Sequence, residues 1–150
     1  MNLPLSPDAI IADLTGTDAT SLFAELCAPL AATVGVAASA LAAALAEREA
    51  LAPTALGGGV AMPHGVHPQL SRIVASFGRS IRGVDFGAPD GKPVHLFVAL
   101  IRPSEDNGLH LKALARYSGV LSSATARDAL LAAPDSAAIL RIVHERSSGR

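Results

Sequence analysis

The 150-residue chain has no tryptophan, one tyrosine, four phenylalanines and a single cysteine. With so few large rings, its core must be assembled from Leu, Ile, Val and Ala, a composition that suits close packing of helices on a sheet. One cysteine excludes a disulfide framework and favours a reducing compartment. Cys27 falls four residues after Phe23 and three before Leu30, the spacing of one helical face, so it reads as a core thiol. Charge of one sign is also lacking. Twelve Lys and Arg stand against thirteen Asp and Glu, which leaves no field able to gather nucleic acid or an anionic membrane.

Residues 28–46 carry no charge, but they are mostly Ala and are interrupted by Pro29 and Gly35. Two short packed helices are therefore expected there rather than a membrane span. The first basic residue is Arg48, so the positive region of a secretory signal is missing and a cytoplasmic location is expected. At this length one domain over residues 1–150 suffices, with an ordered core from about 5 to 146 and a frayed tail from Ser147 to Arg150.

Periodicity outlines the elements. A short strand is expected near Ile10, then an amphipathic helix capped by Asp18 or Thr17, carrying Leu22, Leu26 and Leu30 and ending near Gly35. A second helix spans about Ala37 to Ala50, with Leu41 and Leu45 inward. Pro53, Thr54 and the run Gly57, Gly58, Gly59 then break the pattern and lead into a loop and short strand from Val60 to Gly65. Strands follow at Ile73 to Phe77 and Val94 to Ile101, separated by a turn-rich stretch with Asp90 and Gly91 at its tightest point. Beyond Pro103 a helix capped by Asn107 places His110, Leu114, Tyr117 and Leu121 on one face, and two shorter helices cover about Thr125 to Ala132 and Ser136 to Glu145. Helices before, between and after a small sheet make an α/β sandwich.

Chemistry centres on the histidines. His64 sits between Pro63 and Gly65, where proline restricts the approach and glycine leaves room for a phosphate or partner near the main chain. A neutral imidazole offers one nitrogen as nucleophile while a hydrogen bond on the other fixes the tautomer. These features alone leave His64 open between a functional residue and a satisfied surface one. His110 lies in the first turn of its helix, where amides and the dipole favour an anion, or where a histidine simply caps or fills the inner face. Arg48 could grip a phosphoryl group through two hydrogen bonds, or be a solvated helix end between Glu47 and Glu49. His95 and His144 read as structural and His67 as part of an exposed turn.

Together these residues are more specific than any one of them. The run from Arg48 and Glu49 through Thr54 and Gly57, Gly58, Gly59 to Met62, Pro63, His64, Gly65 resembles the active-site signature of the fructose/mannitol and nitrogen-regulatory type of phosphotransferase-system enzyme IIA. The likeness continues through Gly83, Val84, Asp85, Phe86 and Asp90 to Val94, and then through Pro103 to Ala115, which is similar to the family's second histidine motif. It departs at Gly58, where many relatives have Asn. The resemblance implies a mixed sheet flanked by helices and phosphotransferase activity without metal or other cofactor. It implies that His64 is phosphorylated, that His110 is its neighbour, and that Arg48, with Thr54 shaping the pocket, binds the phosphoryl group. The donor it implies is the histidine phosphocarrier protein, and the acceptor an enzyme IIB or a regulated target protein.

A purely regulatory module, with His64 phosphorylation as a switch, is the competing expectation. A metal site built on His64, His67 and His95 or His110 lacks a second ligand pair. The glycine run lacks the Lys and Ser/Thr of a nucleotide-binding loop, and no nucleophile-elbow pattern occurs.

Overall fold

The computed structural model describes residues 3–148. Helix α1 (Ala19–Val34) starts at Asp18, whose carboxylate accepts from the Ser21 amide at 2.8 Å while the Ser21 hydroxyl serves the cap backbone. It ends where Gly35 adopts φ 70°, a left-handed turn that glycine makes without steric cost. Pro29 lies inside this helix without ending it, so α1 runs to Gly35 as its apolar spacing predicts. A proline inside a helix costs about 3 kcal/mol, but Leu26, Cys27 and Leu30 around it are all buried, and each such side chain returns roughly 1.5–3 kcal/mol. Helix α2 (Ala38–Glu49) follows, burying Leu41 and Leu45.

The strands are β1 (Ile10–Ile11), β2 (Ala55–Gly57), β3 (Val60–Ala61), β4 (His64–Val66), β5 (Val74–Val84) and β6 (Val94–Arg102). They form one mixed sheet in the order β1-β5-β6-β3-β2, with β4 also on β6. The β5 strand runs well past Phe77, where the sequence signal stops, because Ser76, Arg79 and Ser80 are buried polar residues that hide its apolar alternation. The Arg79 guanidinium is satisfied by backbone carbonyls of Ala12, Leu130 and Ala133 at 2.7–2.9 Å. Both β3 and β4 lie parallel to β6 in one register, Val60 beside Leu96 and His64 beside Leu100. Pro63, which has no amide hydrogen, interrupts the two.

Helices α3 (Leu109–Leu121), α4 (Ala124–Ala132) and α5 (Ser136–Ser148) complete the chain. The last helix reaches Ser148, so Ser147 is helical rather than frayed, and the rest of the expected tail, 149–150, lies outside the described residues. Asn107 does not cap α3. Gly108 is the cap, and the Asp106 carboxylate accepts from the Gly108 and His110 amides at 3.1 and 3.0 Å.

Successive side chains in a strand point to opposite faces. Phe23 of α1, Phe86 and Phe97 stack edge to face, with centroids 6.0 and 5.3 Å apart, and Gly78 sits against Leu14 and Leu26 on that same face. Arg79, pointing the other way, meets the end of α4. Helices α1 and α2 therefore cover one face and α3 to α5 the other. Burial fixes Cys27 as the expected core residue and pushes its thiol up to about 12.

Gly65 sets the α2 contact. A Cβ there would lie 2.7 Å from the Ala44 carbonyl oxygen and 2.9 Å from its carbon, both rigid backbone atoms. Gly65→Ala should therefore cost about 1–3 kcal/mol through overpacking. In the exposed part of α3 a Cβ on Gly119 meets nothing within 4 Å, and Gly119→Ala should stabilise by about 0.5–1 kcal/mol. Urea unfolding of the two variants beside the parent reads both signs.

Candidate functional site

The edge of the sheet at β4 carries a cavity of about 280 Å³. Its walls come from the end of α2 (Ala44, Glu47, Arg48), from Leu51, from His64, Gly65 and Val66 of β4, from Arg102 at the end of β6, and from His110 of α3. Three of the four expected site residues, His64, His110 and Arg48, thus meet in one place. Thr54 does not line it.

His64 is half-buried, and its Nδ1 lies 2.8 Å from the Met62 carbonyl oxygen. A carbonyl can only accept, so the bond requires the proton on Nδ1 and leaves Nε2 with its lone pair. Met62 is held in turn, its amide donating to the Thr54 carbonyl at 3.0 Å. Thr54 is buried and donates its hydroxyl and amide to the Glu49 carboxylate at 2.6 and 2.9 Å. Thr54 supports the histidine from behind. The backbone at His64 is ordinary strand, so Gly65 serves the approach of α2, and with it Arg48, rather than an unusual loop.

The rings of His64 and His110 are 5.6 Å apart between centroids and tilted by 49°. Burial first, then the neighbouring His64 and the Arg102 charge, lower the His110 pKa below its ordinary value, against the opposing pull of Asp106. The first amides of α3 are occupied by Asp106, so His110 faces the cavity through its ring and not through an open helix end. Its Nδ1 is buried with no hydrogen-bond partner. The neutral tautomer with hydrogen on Nε2 avoids burying a bare N–H, which is the costlier group to strand.

Arg48 donates through Nη1 to the Ala52 carbonyl at 2.9 Å. Arg102, which sequence reasoning missed, donates through Nη1 to the Pro103 and Ser104 carbonyls at 3.0 and 3.1 Å. Its only sequence signal is a basic residue closing an apolar strand. His95 donates or accepts at Nδ1 toward the Ser80 carbonyl, 2.9 Å away, and the carbonyl makes that a donation. It is structural as expected, His67 starts a turn, and His144 is exposed on α5. Among the described residues no group of three His, Cys, Asp or Glu could hold a metal ion, and no helix is long and apolar enough to cross a membrane.

The arrangement is a lone-pair nitrogen in an open cavity beside two guanidinium groups and a second imidazole, which suits a transferable anion. Residues 4–146 match the family model described as "Phosphoenolpyruvate-dependent sugar phosphotransferase system, EIIA 2". The chain belongs to this EIIA family. It is 37% identical over 139 residues to a nitrogen regulatory protein of Bradyrhizobium diazoefficiens, covering 93% of this chain and 91% of that one. The crystal structure of the nitrogen regulatory protein IIA-Ntr from Neisseria meningitidis superposes with a TM-score of 0.88 at 31% identity, covering 93% of this chain and 96% of that one. The Escherichia coli mannitol enzyme IIA, in its complex with phosphorylated enzyme IIB, shares the fold with a TM-score of 0.78 at 17% identity, covering 92% and 95%. EIIA membership makes this a phosphoryl-transfer or regulatory protein of that system.

The depressed His110 pKa gives a signed expectation. Its ring should titrate below about 6.5, so its contribution to stability is in place above that pH and is lost as pH falls through the folded-state value. Ring proton NMR should find the midpoint raised in His64→Ala, where the neighbouring imidazole is gone.

Proposed function

We propose that His64 is the phosphoryl acceptor, through Nε2, from a phosphohistidine on the histidine phosphocarrier protein. The observation that carries this reading is the bond from His64 Nδ1 to the Met62 carbonyl, which commits one nitrogen and turns the other into the nucleophile. In the transfer the P–N bond of the donor breaks, its imidazole leaves with the electron pair, and a new P–N bond forms at Nε2. The proton on Nδ1 stays where it is. No base is needed, so the site works by position and charge.

Arg48 faces the cavity with most of its N–H groups uncommitted and pairs with the phosphoryl oxygens. The neutral His110 donates from Nε2 to another. Thr54 acts indirectly, through the Met62 backbone that it fixes. Exposed Leu51 and Val66 at the cavity mouth offer apolar contact to a protein partner. The onward acceptor is an enzyme IIB, the class with which the mannitol relative is complexed, or a regulated target protein. The regulatory outlet is favoured by the two nitrogen regulatory relatives that match along more than nine-tenths of their length. The chemistry belongs in the cytoplasm, where phosphoenolpyruvate is made and used.

Incubation with phosphoenolpyruvate, enzyme I and the phosphocarrier should add one acid-labile phosphoryl group to the intact mass. His64→Ala should take none, and a labelled variant would place the acceptor elsewhere.

A further inference from the structure

We infer that Arg102 is a second phosphoryl-binding residue of this site, closing on His64 from the strand side while Arg48 closes from the helix side. The inference rests on the reading of His64 as the acceptor. It starts from register. In the parallel pairing of β4 with β6, His64 lies beside Leu100 and Val66 beside Arg102. Laterally paired residues share a face, and so do residues two apart along one strand. His64 and Arg102 therefore project on the same side of the sheet as diagonal neighbours, and both line the cavity.

The guanidinium is fixed and only partly used. An arginine has five N–H donors. Two of them, both on Nη1, go to the Pro103 and Ser104 carbonyls, which leaves the Nε and Nη2 donors without a partner among the described residues. The backbone beneath is pinned as well, because the Arg102 carbonyl accepts from the His67 amide at 2.9 Å. A planar fork held on one side and open on the other can offer paired donors to a tetrahedral anion. The charge is felt inside the cavity, where it acts against protonation of His110. Glu47 is the sole carboxylate among the lining residues, so with Arg48 and Arg102 the walls carry a net positive charge. A phosphoryl dianion is the ligand this balance fits.

The transfer itself is unchanged: the donor P–N bond breaks, the bond to His64 Nε2 forms, and Arg102 takes neither proton nor electrons. Its hydrogen bonds to the phosphoryl oxygens, unlike those to Pro103 and Ser104, exist only while that group is present, so they favour the phosphorylated state.

The test uses potassium phosphoramidate as a small phosphoryl donor and, separately, the equilibrium with the phosphorylated carrier protein. Arg102→Gln should melt close to the parent, yet its equilibrium constant for taking the group from the carrier should fall about tenfold, the loss of one charge-assisted hydrogen bond. Arg102→Lys should recover part of that. An equal equilibrium constant in Arg102→Gln and parent overturns the assignment. Should Arg102→Gln fail to fold, the Arg102 Nε–H resonance of the parent decides: a downfield shift on phosphorylation supports the contact and an unmoved one overturns it. A parent that takes no label from either donor overturns the phosphocarrier reading and this inference together. A labelled parent with an indifferent Arg102 overturns the inference alone.

Discussion

The site depends on a single hydrogen bond, from His64 Nδ1 to the Met62 carbonyl. It decides the tautomer, the ring's orientation and which nitrogen faces the cavity. The carbonyl lies in the short gap between β3 and β4, on the side of the chain where the Met62 amide meets Thr54 rather than β6. Pro63 has no amide hydrogen to give to β6, yet its carbonyl still accepts from the Leu100 amide at 3.0 Å. Register nevertheless carries through the gap, so His64 returns to the same alignment against β6 that Val60 had. The interruption changes a hydrogen bond without displacing the strand.

Behind that bond stands a short chain of support. Glu49 holds Thr54, and Thr54 holds Met62. The Arg-Glu pair at the end of α2 thus divides its work: Arg48 faces the cavity and Glu49 ties the helix end to the strand behind the histidine. Gly65 allows both, since only a residue without Cβ lets the α2 backbone come this close to β4. Helix, glycine and proline act together on one imidazole. Rigid positioning from behind leaves the front of the ring open to the cavity.

Much of this was legible in the sequence. The apolar spacings give α1, α2 and α3 with Leu22, Leu41 and Tyr117 buried, and the uninterrupted apolar run gives β6. His64, His110 and Arg48 come together as their motifs imply. What was not legible depends on contacts between distant segments. The length of β5 was hidden by Arg79, a buried cation satisfied by carbonyls far along the chain. Asp106 rather than Asn107 serves the start of α3, since Asn107 itself takes φ 55° and its neighbour Asp106 is the one whose carboxylate reaches the amides. Thr54 reads as a pocket residue from its place in the signature, but its hydroxyl is bound to Glu49. Arg102 becomes visible only with the register of β4 on β6, which no single sequence states.

The most direct measurement is the nitrogen NMR spectrum of the His64 ring before and after phosphorylation. The account predicts a protonated Nδ1 and a bare Nε2 in the free protein, and phosphorus coupling to Nε2 in the modified one. Phosphorus on Nδ1, or a free protein whose hydrogen sits on Nε2, would contradict it, because either result requires the bond to the Met62 carbonyl to be absent.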